Sequence, residues 1–301
     1  MKWEKLGKIY HFEKIDENLI SHASNPLAKY LTNDIFRVFF SGRNANNKSS
    51  VGYVDIDIQA LKVINVGSKT LFRYGEYESF YSHGVSIGNL YSANGSNYIL
   101  FMGWQIKNKE HWRGDIGRLR LDNSERMILN PKKAFMSSDQ VDPISLSYPW
   151  VIYDEGHYKM WYGSTVAWKT ENKEMLHVIK YATSDDGEYW EKHGLAIPFE
   201  LGVAQAFSRP CVIKDSNGYH MWFSYRSGNG MSYRIGYSHS FDGLKWKNKL
   251  DEVGIDVSKS GWDSEMICYP FVFDHKGKRY MLYNGNDYGK TGFGLAVLEQ
   301  D

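Results

Sequence analysis

The chain is poor in the residues that staple or segment a protein. Among its 301 residues are two cysteines and seven prolines. No apolar run approaches the roughly 18 residues of a membrane-spanning helix. Two thiols, Cys211 and Cys268, build no disulfide framework, and no Cys/His cluster has zinc spacing. Both are expected as small buried hydrophobes. Charge of one sign is also missing: 36 Lys and Arg stand against 35 Asp and Glu, a net +1. That leaves no electrostatic footprint for nucleic acid or an anionic membrane. No glycine-rich loop opens a helical pattern, which excludes the common nucleotide-binding folds. The opening residues Met1-Lys2-Trp3-Glu4-Lys5 carry no apolar signal-peptide core, so the expected location is cytoplasmic.

What the chain has is aromatic residues, 16% of the total with 10 Trp and 22 Tyr, and a repeat. Glu265–Gly294 reads as an apolar run after a proline, a Gly turn, a second run ending in Tyr, and a third run. The same order recurs from Pro26, Gly84, Pro149, Pro210 and Pro270, about every 60 residues. Second runs follow at Ile35–Phe40, Tyr98–Trp104, Tyr158–Tyr162, Tyr219–Tyr225 and Tyr280–Tyr283. Third runs follow at Val51–Ile56, Gly114–Leu121, His177–Thr183, Tyr233–His239 and Gly292–Leu298. Units of this length, made of strands without a helix, predict an all-β, five-bladed β-propeller. One domain spans 1–301, with blades over about 25–71, 81–135, 145–194, 207–249 and 265–301. The last repeat lacks a fourth strand. Trp3-Glu4-Lys5-Leu6-Gly7 resembles Trp190-Glu191-Lys192-His193-Gly194, the closing segment of the third repeat. Residues 3–10 are therefore expected to close the last blade and cover its open edge. Ser184–Trp190 and Ser240–Trp246 share Ser-x-Asp-Gly-x-x-Trp, a turn pattern with a structural role.

Function is expected where the repeats diverge. The loops Gln105–Arg113, Ser164–Met175 and Arg226–Ser232 join second to third strands and should share one end of the ring. Before the anchors stand Ser24-Asn25, Ser82-His83, Ser147-Tyr148, Ser208-Arg209 and Cys268-Tyr269. The first position is small throughout. The second holds five hydrogen-bonding residues of four kinds, Asn25, His83, Tyr148, Arg209 and Tyr269, as a binding funnel on the axis requires.

Together the Pro-led inner strands, the Tyr-x-Met-Trp-Tyr/Phe second strands at 158–162 and 219–223, and the Asp-Gly-x-x-Trp turns carry a resemblance. The layout is similar to the five-bladed propellers of carbohydrate-active enzymes, among them glycoside hydrolase families 32, 43, 62, 68 and 130. The resemblance implies a sugar-containing partner and a glycoside hydrolase-like reaction, cleaving or transferring a glycosyl unit at the axis. Such hydrolases use two carboxyl groups, about 6.5–9.5 Å apart for inversion and about 5–5.5 Å for retention. This chain departs from family 43: Asn25-Pro26 replaces its Asp-Pro, and Ser208-Arg209 lacks a Glu. Glu265, beside Trp262 and Met266, is the first candidate acid, with Asp142 as base and Asp263 as a further candidate. Trp104, Trp168, Tyr148 and Tyr225 are candidate stacking residues, and Asp287 a candidate polar contact. No cofactor is required by the pattern, and a calcium ion on the axis is compatible with it. Two alternatives stay open. One is a transferase or phosphorylase in which phosphate or a sugar nucleotide meets Arg209. The other is a non-catalytic glycan-binding propeller. Sugar identity, stereochemical outcome and oligomeric state are not fixed by the sequence.

Overall fold

A computed structural model describes residues 1–106, 111–122, 124–228 and 230–299. Part of the loop 105–113, residue 229 of the loop 226–232, and the final two residues of the last blade lie outside the described residues. Strands dominate and are antiparallel meanders, in keeping with their β-branched and aromatic content. In chain order they are β1 (Trp3–His11), β2 (Ser21–Thr32), β3 (Ile35–Arg43), β4 (Ser49–Asp57) and β5 (Lys62–Val66), then β6 (Gly84–Ala93), β7 (Ser96–Ile106), β8 (Trp112–Leu121) and β9 (Met127–Leu129). There follow β10 (Ser145–Asp154), β11 (His157–Ala167), β12 (Leu176–Ser184) and β13 (Glu191–Leu195). The chain ends with β14 (Ser208–Asp215), β15 (Gly218–Tyr225), β16 (Arg234–Ser240), β17 (Lys247–Asn248), β18 (Cys268–His275), β19 (Lys278–Asn284) and β20 (Gly292–Leu298). Among the described residues, helix is confined to a 3-10 turn, Leu250–Glu252, and one turn at Asn286–Gly289.

Three sheets have four strands each, β10 to β13, β14 to β17, and β1-β20-β19-β18. A fourth sheet contains two such meanders, β2 to β5 and β6 to β9, joined by a single parallel bridge between Ser49 and Gly84. The leading strands pack on one another in the order β2, β6, β10, β14, β18 and back to β2. β1 pairs antiparallel with β20, Trp3 opposite Leu298 through His11 opposite Gly292, so the start of the chain covers the edge of the last meander. Trp3 is buried edge-on against Trp222, with ring centroids 6.0 Å apart.

Between meanders the core is aromatic: Trp161 and Trp222 are fully buried, and Trp246 meets Trp161 at 5.8 Å. The Asp-Gly-x-x-Trp segments are turns. Asp186 Oδ1 accepts from the amides of Glu188 and Tyr189, and Asp242 Oδ1 from those of Leu244 and Lys245. Gly187 and Gly243 take φ of 73° and 75°, where a side chain would be strained. Cys211 and Cys268 are buried and unpaired, and burial pushes the Cys211 thiol up to about 12.

Candidate active site

Each leading strand has a two-residue break in register, and that break sets the site. In β2, β10, β14 and β18 the ladder skips from Ser24 to Leu27, Ser147 to Trp150, Ser208 to Cys211 and Cys268 to Phe271. The skipped pairs are Asn25-Pro26, Tyr148-Pro149, Arg209-Pro210 and Tyr269-Pro270. All four residues before proline adopt left-handed backbone, with φ of 56°, 34°, 49° and 54°. Non-glycine residues held there cost on the order of 1–3 kcal/mol each, and bulges of this kind re-aim side chains. Proline cannot donate to the ladder, so it occupies the bulge without losing a hydrogen bond.

The second repeat is phased differently from the sequence reading. Its break runs from Ile87 to Leu90, so Gly88-Asn89 takes the place assigned to His83-Gly84. Gly88 presents no side chain, and a Cβ there would meet the carbonyl oxygen of Pro149 at 2.7 Å. Asn89 turns into the scaffold, bonding the main chain of Val151 through both ends of its amide. His83 stands upstream, half-buried, with Nδ1 accepting from the Ile106 amide; burial, then Lys48, lowers its pKa.

A cavity of about 350 Å³ opens at the axis. Of the residues singled out in the sequence, Asn25, Trp104, Tyr148 and Tyr269 line it. It is also walled by Arg43, Trp112, His177, Arg226, Tyr233, Tyr288 and a series of serines including Ser86 and Ser147. Asn25 is 2% exposed, yet its Oδ1 has no partner. Its amide is fixed by Asn284 Oδ1 at 2.8 Å. Tyr148 and Tyr269 lie 5.6 Å apart. Burial raises the pKa of both, and for Tyr148 the rise is opposed by hydrogen bonds to Tyr269 and Ser86 and by Arg209 and Arg43. Trp104 is held by Nε1 donating to Ser49 Oγ at 3.0 Å. Trp112 packs edge-on to Trp168 and His177 at 4.9 and 6.0 Å. His177 lies between Ser147 Oγ, 2.6 Å from Nε2, and Thr165 Oγ1, 2.8 Å from Nδ1. Burial, then the nearby Arg226, pushes its pKa down to about 3, so the ring is neutral.

The carboxylates nominated from sequence lie elsewhere. Asp142 is wholly buried between Lys180 and Lys192, at 2.8 and 2.7 Å, and accepts from Tyr162 and Ser164 hydroxyls. Burial raises its pKa, but those partners outweigh it and hold the carboxyl low. Asp263 repeats the arrangement with Lys5 at 2.7 Å and the Tyr283 hydroxyl at 3.0 Å. Each ties a lysine to a second-strand tyrosine and is a scaffold group. Glu265 is exposed and outside the cavity wall; only its main chain is engaged, by Asn286 and Arg234. Asp287 is exposed beside Lys290, and Tyr225 lines a separate shallow cavity with Arg234 and Asp256. Arg209 does not reach the cavity wall. It is 1% exposed, and its guanidinium donates to the carbonyls of Tyr269, Pro270 and Pro26 at 2.8, 3.3 and 2.6 Å.

Among the described residues, no Asp or Glu lines the cavity, and no group of three His, Cys, Asp or Glu is placed to hold a metal. An axial calcium ion would find no carboxylate on this wall, although hard cations favour such ligands. Arg43, Trp112, His177, Arg226 and Tyr233 were missed as individuals. Their signal lay in the loops from second to third strands, which bring Trp112 and Arg226 to the rim, and in the turn after Arg43.

No family model matches the chain. It is 42% identical over 304 residues to "Uncharacterized protein MT1551" and "Uncharacterized protein Rv1502" of Mycobacterium tuberculosis, with 99% of this chain and 100% of each relative covered. The chain belongs to the family of these two proteins. Solved structures share the fold at low identity. A glycosyl hydrolase from Bacteroides ovatus matches with TM-score 0.70 at 14% identity, covering 99% of this chain and 93% of that one. The β-1,2-mannobiose phosphorylase of Listeria innocua, solved with β-1,2-mannobiose, matches at 0.73 and 9%, covering 99% and 96%. The GH32 β-fructofuranosidase of Bombyx mori matches at 0.66 and 11%, covering 92% of this chain and 61% of that one. The fold is thus the propeller type of glycoside hydrolases.

Proposed function

We propose that the five meanders are five blades and that the chain is a carbohydrate-active enzyme holding a glycosyl unit in the axial cavity. What carries this reading is the convergence of three strained tip residues, Asn25, Tyr148 and Tyr269, on one hollow. Asn25 Oδ1, buried and unpartnered, is an acceptor awaiting a donor such as a sugar hydroxyl. Serine and tyrosine hydroxyls supply further polar partners, and Trp104 and Trp112 offer ring faces. The glycosyl hydrolase and the mannobiose-bound phosphorylase of the same fold support the assignment.

A wall without carboxylates favours transfer of the glycosyl unit over two-carboxylate hydrolysis. Transfer from a donor whose leaving group departs as a stable anion needs no protonating acid. The same wall favours, as second reading, a propeller that binds glycans without turnover. Titration with a panel of mono- and disaccharides, followed by proton NMR of the anomeric signals, tests both. Saturable binding weakened about fivefold or more by Trp104→Ala is expected, since ring stacking on this scale contributes about 1 kcal/mol or more. New anomeric signals indicate the enzyme, and unchanged signals the binding module. Binding indifferent to Trp104→Ala would place the sugar somewhere other than the axis.

A further inference from the structure

We propose that the ligand of the axial cavity carries an anionic group, phosphate or carboxylate, recognised by Arg43 and drawn by the buried charge of Arg209. This rests on the sugar-binding reading of the same cavity. Arg43 lines the cavity, and its guanidinium donates to Asn47 Oδ1 at 2.7 Å. Among the described residues, no carboxylate lies within ion-pair distance of it. Arg209 is buried next to the cavity. The residues flanking it in space, Ser208 and Tyr269, are on the cavity wall. Three main-chain carbonyls solvate its guanidinium but do not neutralise it, and its Nε has no partner. A buried ion without a counterion is expensive, and an anion above it would offset that cost.

Arg226, the third cation, is matched by Glu174 at 2.8 Å, so its charge is already balanced. His177 adds none, being neutral. Both unmatched guanidiniums oppose the burial-driven rise in the pKa of the Tyr148 phenol, a group of the cavity wall. The hollow therefore has one unmatched positive charge on its wall and a second buried behind it, with no carboxylate on the wall, in a protein whose overall charge is close to zero. A neutral sugar would leave both charges unanswered. A sugar phosphate or a uronic acid would answer them, with the remaining N–H groups of the planar Arg43 fork able to donate to two oxygens.

The test is thermal unfolding at low ionic strength, matched with chloride, in the presence of inorganic phosphate, glucose 1-phosphate, glucose 6-phosphate, glucuronic acid or glucose. At least one anionic probe is expected to raise Tm saturably above its chloride control. Arg43→Gln should weaken that response on the order of tenfold. Without ligand, Arg43→Gln should unfold at the wild-type temperature or higher, because an unmatched charge has been removed. A response to phosphate and phosphosugars identifies phosphate as the group; a response to glucuronic acid alone identifies carboxylate. Stabilisation by glucose equal to that by the anionic probes, or an anion response unchanged in Arg43→Gln, overturns the charge assignment and leaves the sugar reading standing. Silence towards every anionic probe also overturns it, and silence towards glucose and the saccharide panel as well removes the sugar reading.

Discussion

Acid should loosen this ring well before its carboxylates titrate, and the loosening should trace to His177. The ring is 2% exposed, and its two nitrogens are engaged by Ser147 and Thr165 hydroxyls with no carboxylate beside it. In the folded chain its pKa is pushed down to about 3 from 6.5. The unfolded chain binds a proton near the ordinary value, so stability is whole above about pH 6.5 and falls as pH drops towards 3. Between about pH 7 and pH 5 the loss from this residue is about 2 kcal/mol. His22, lowered to about 4 by burial, then Arg43 and Lys290, acts in the same direction. Asp142 and Asp154 have depressed pKa values, so their contributions are lost only in more acid solution and leave this window clear. Urea unfolding of wild type and His177→Asn at both pH values measures the effect. The variant, less stable at neutral pH, should lose about 2 kcal/mol less on acidification than the wild type. Parallel losses in the two proteins would mean that His177 is solvated or protonated in the folded state, refuting the picture of a dry hydroxyl-flanked imidazole.

Deleting the first eleven residues removes β1 with the buried Trp3, Ile9 and Tyr10. At roughly 2 kcal/mol for each buried large side chain, the ring should lose about 6 kcal/mol or more, visible as a collapse of its urea midpoint; an unchanged midpoint would show that the closure is ornamental. Asp142→Asn leaves Lys180 and Lys192 without their buried partner and should cost about 3 kcal/mol, with affinity for any axial ligand kept within about twofold. Glu265→Gln should change neither stability nor affinity. Loss of turnover in Glu265→Gln would restore the exposed glutamate as the acid.

How much of this was legible in the chain divides along a physical line. The repeat, the turns at Gly187 and Gly243, and the pairing of the N-terminal segment with the last meander follow from local pattern, and the structure has them. The second repeat was misphased because it has no proline at its bulge. Its apolar run starts just after Gly84, four residues before Gly88, so the local pattern marks the wrong glycine. The carboxylates lie off the cavity wall for another reason. Proximity to a leading strand says nothing about which way a side chain turns. A clue was present: Asp142 and Asp263 each precede a second-strand tyrosine, Tyr162 and Tyr283, by 20 residues, and a group repeated at fixed spacing is scaffold. Arg43 carries no sequence signal because its significance lies in having no carboxylate within ion-pair distance among the described residues, a property of space and not of sequence.

The most direct measurement is a crystal structure grown with whichever anionic sugar raises Tm most. The ring is expected against Trp104, a hydroxyl on Asn25 Oδ1 and the anionic group on Arg43. Density for the ligand beside Tyr225 and Asp256, or on any surface away from the axis, would contradict the assignment.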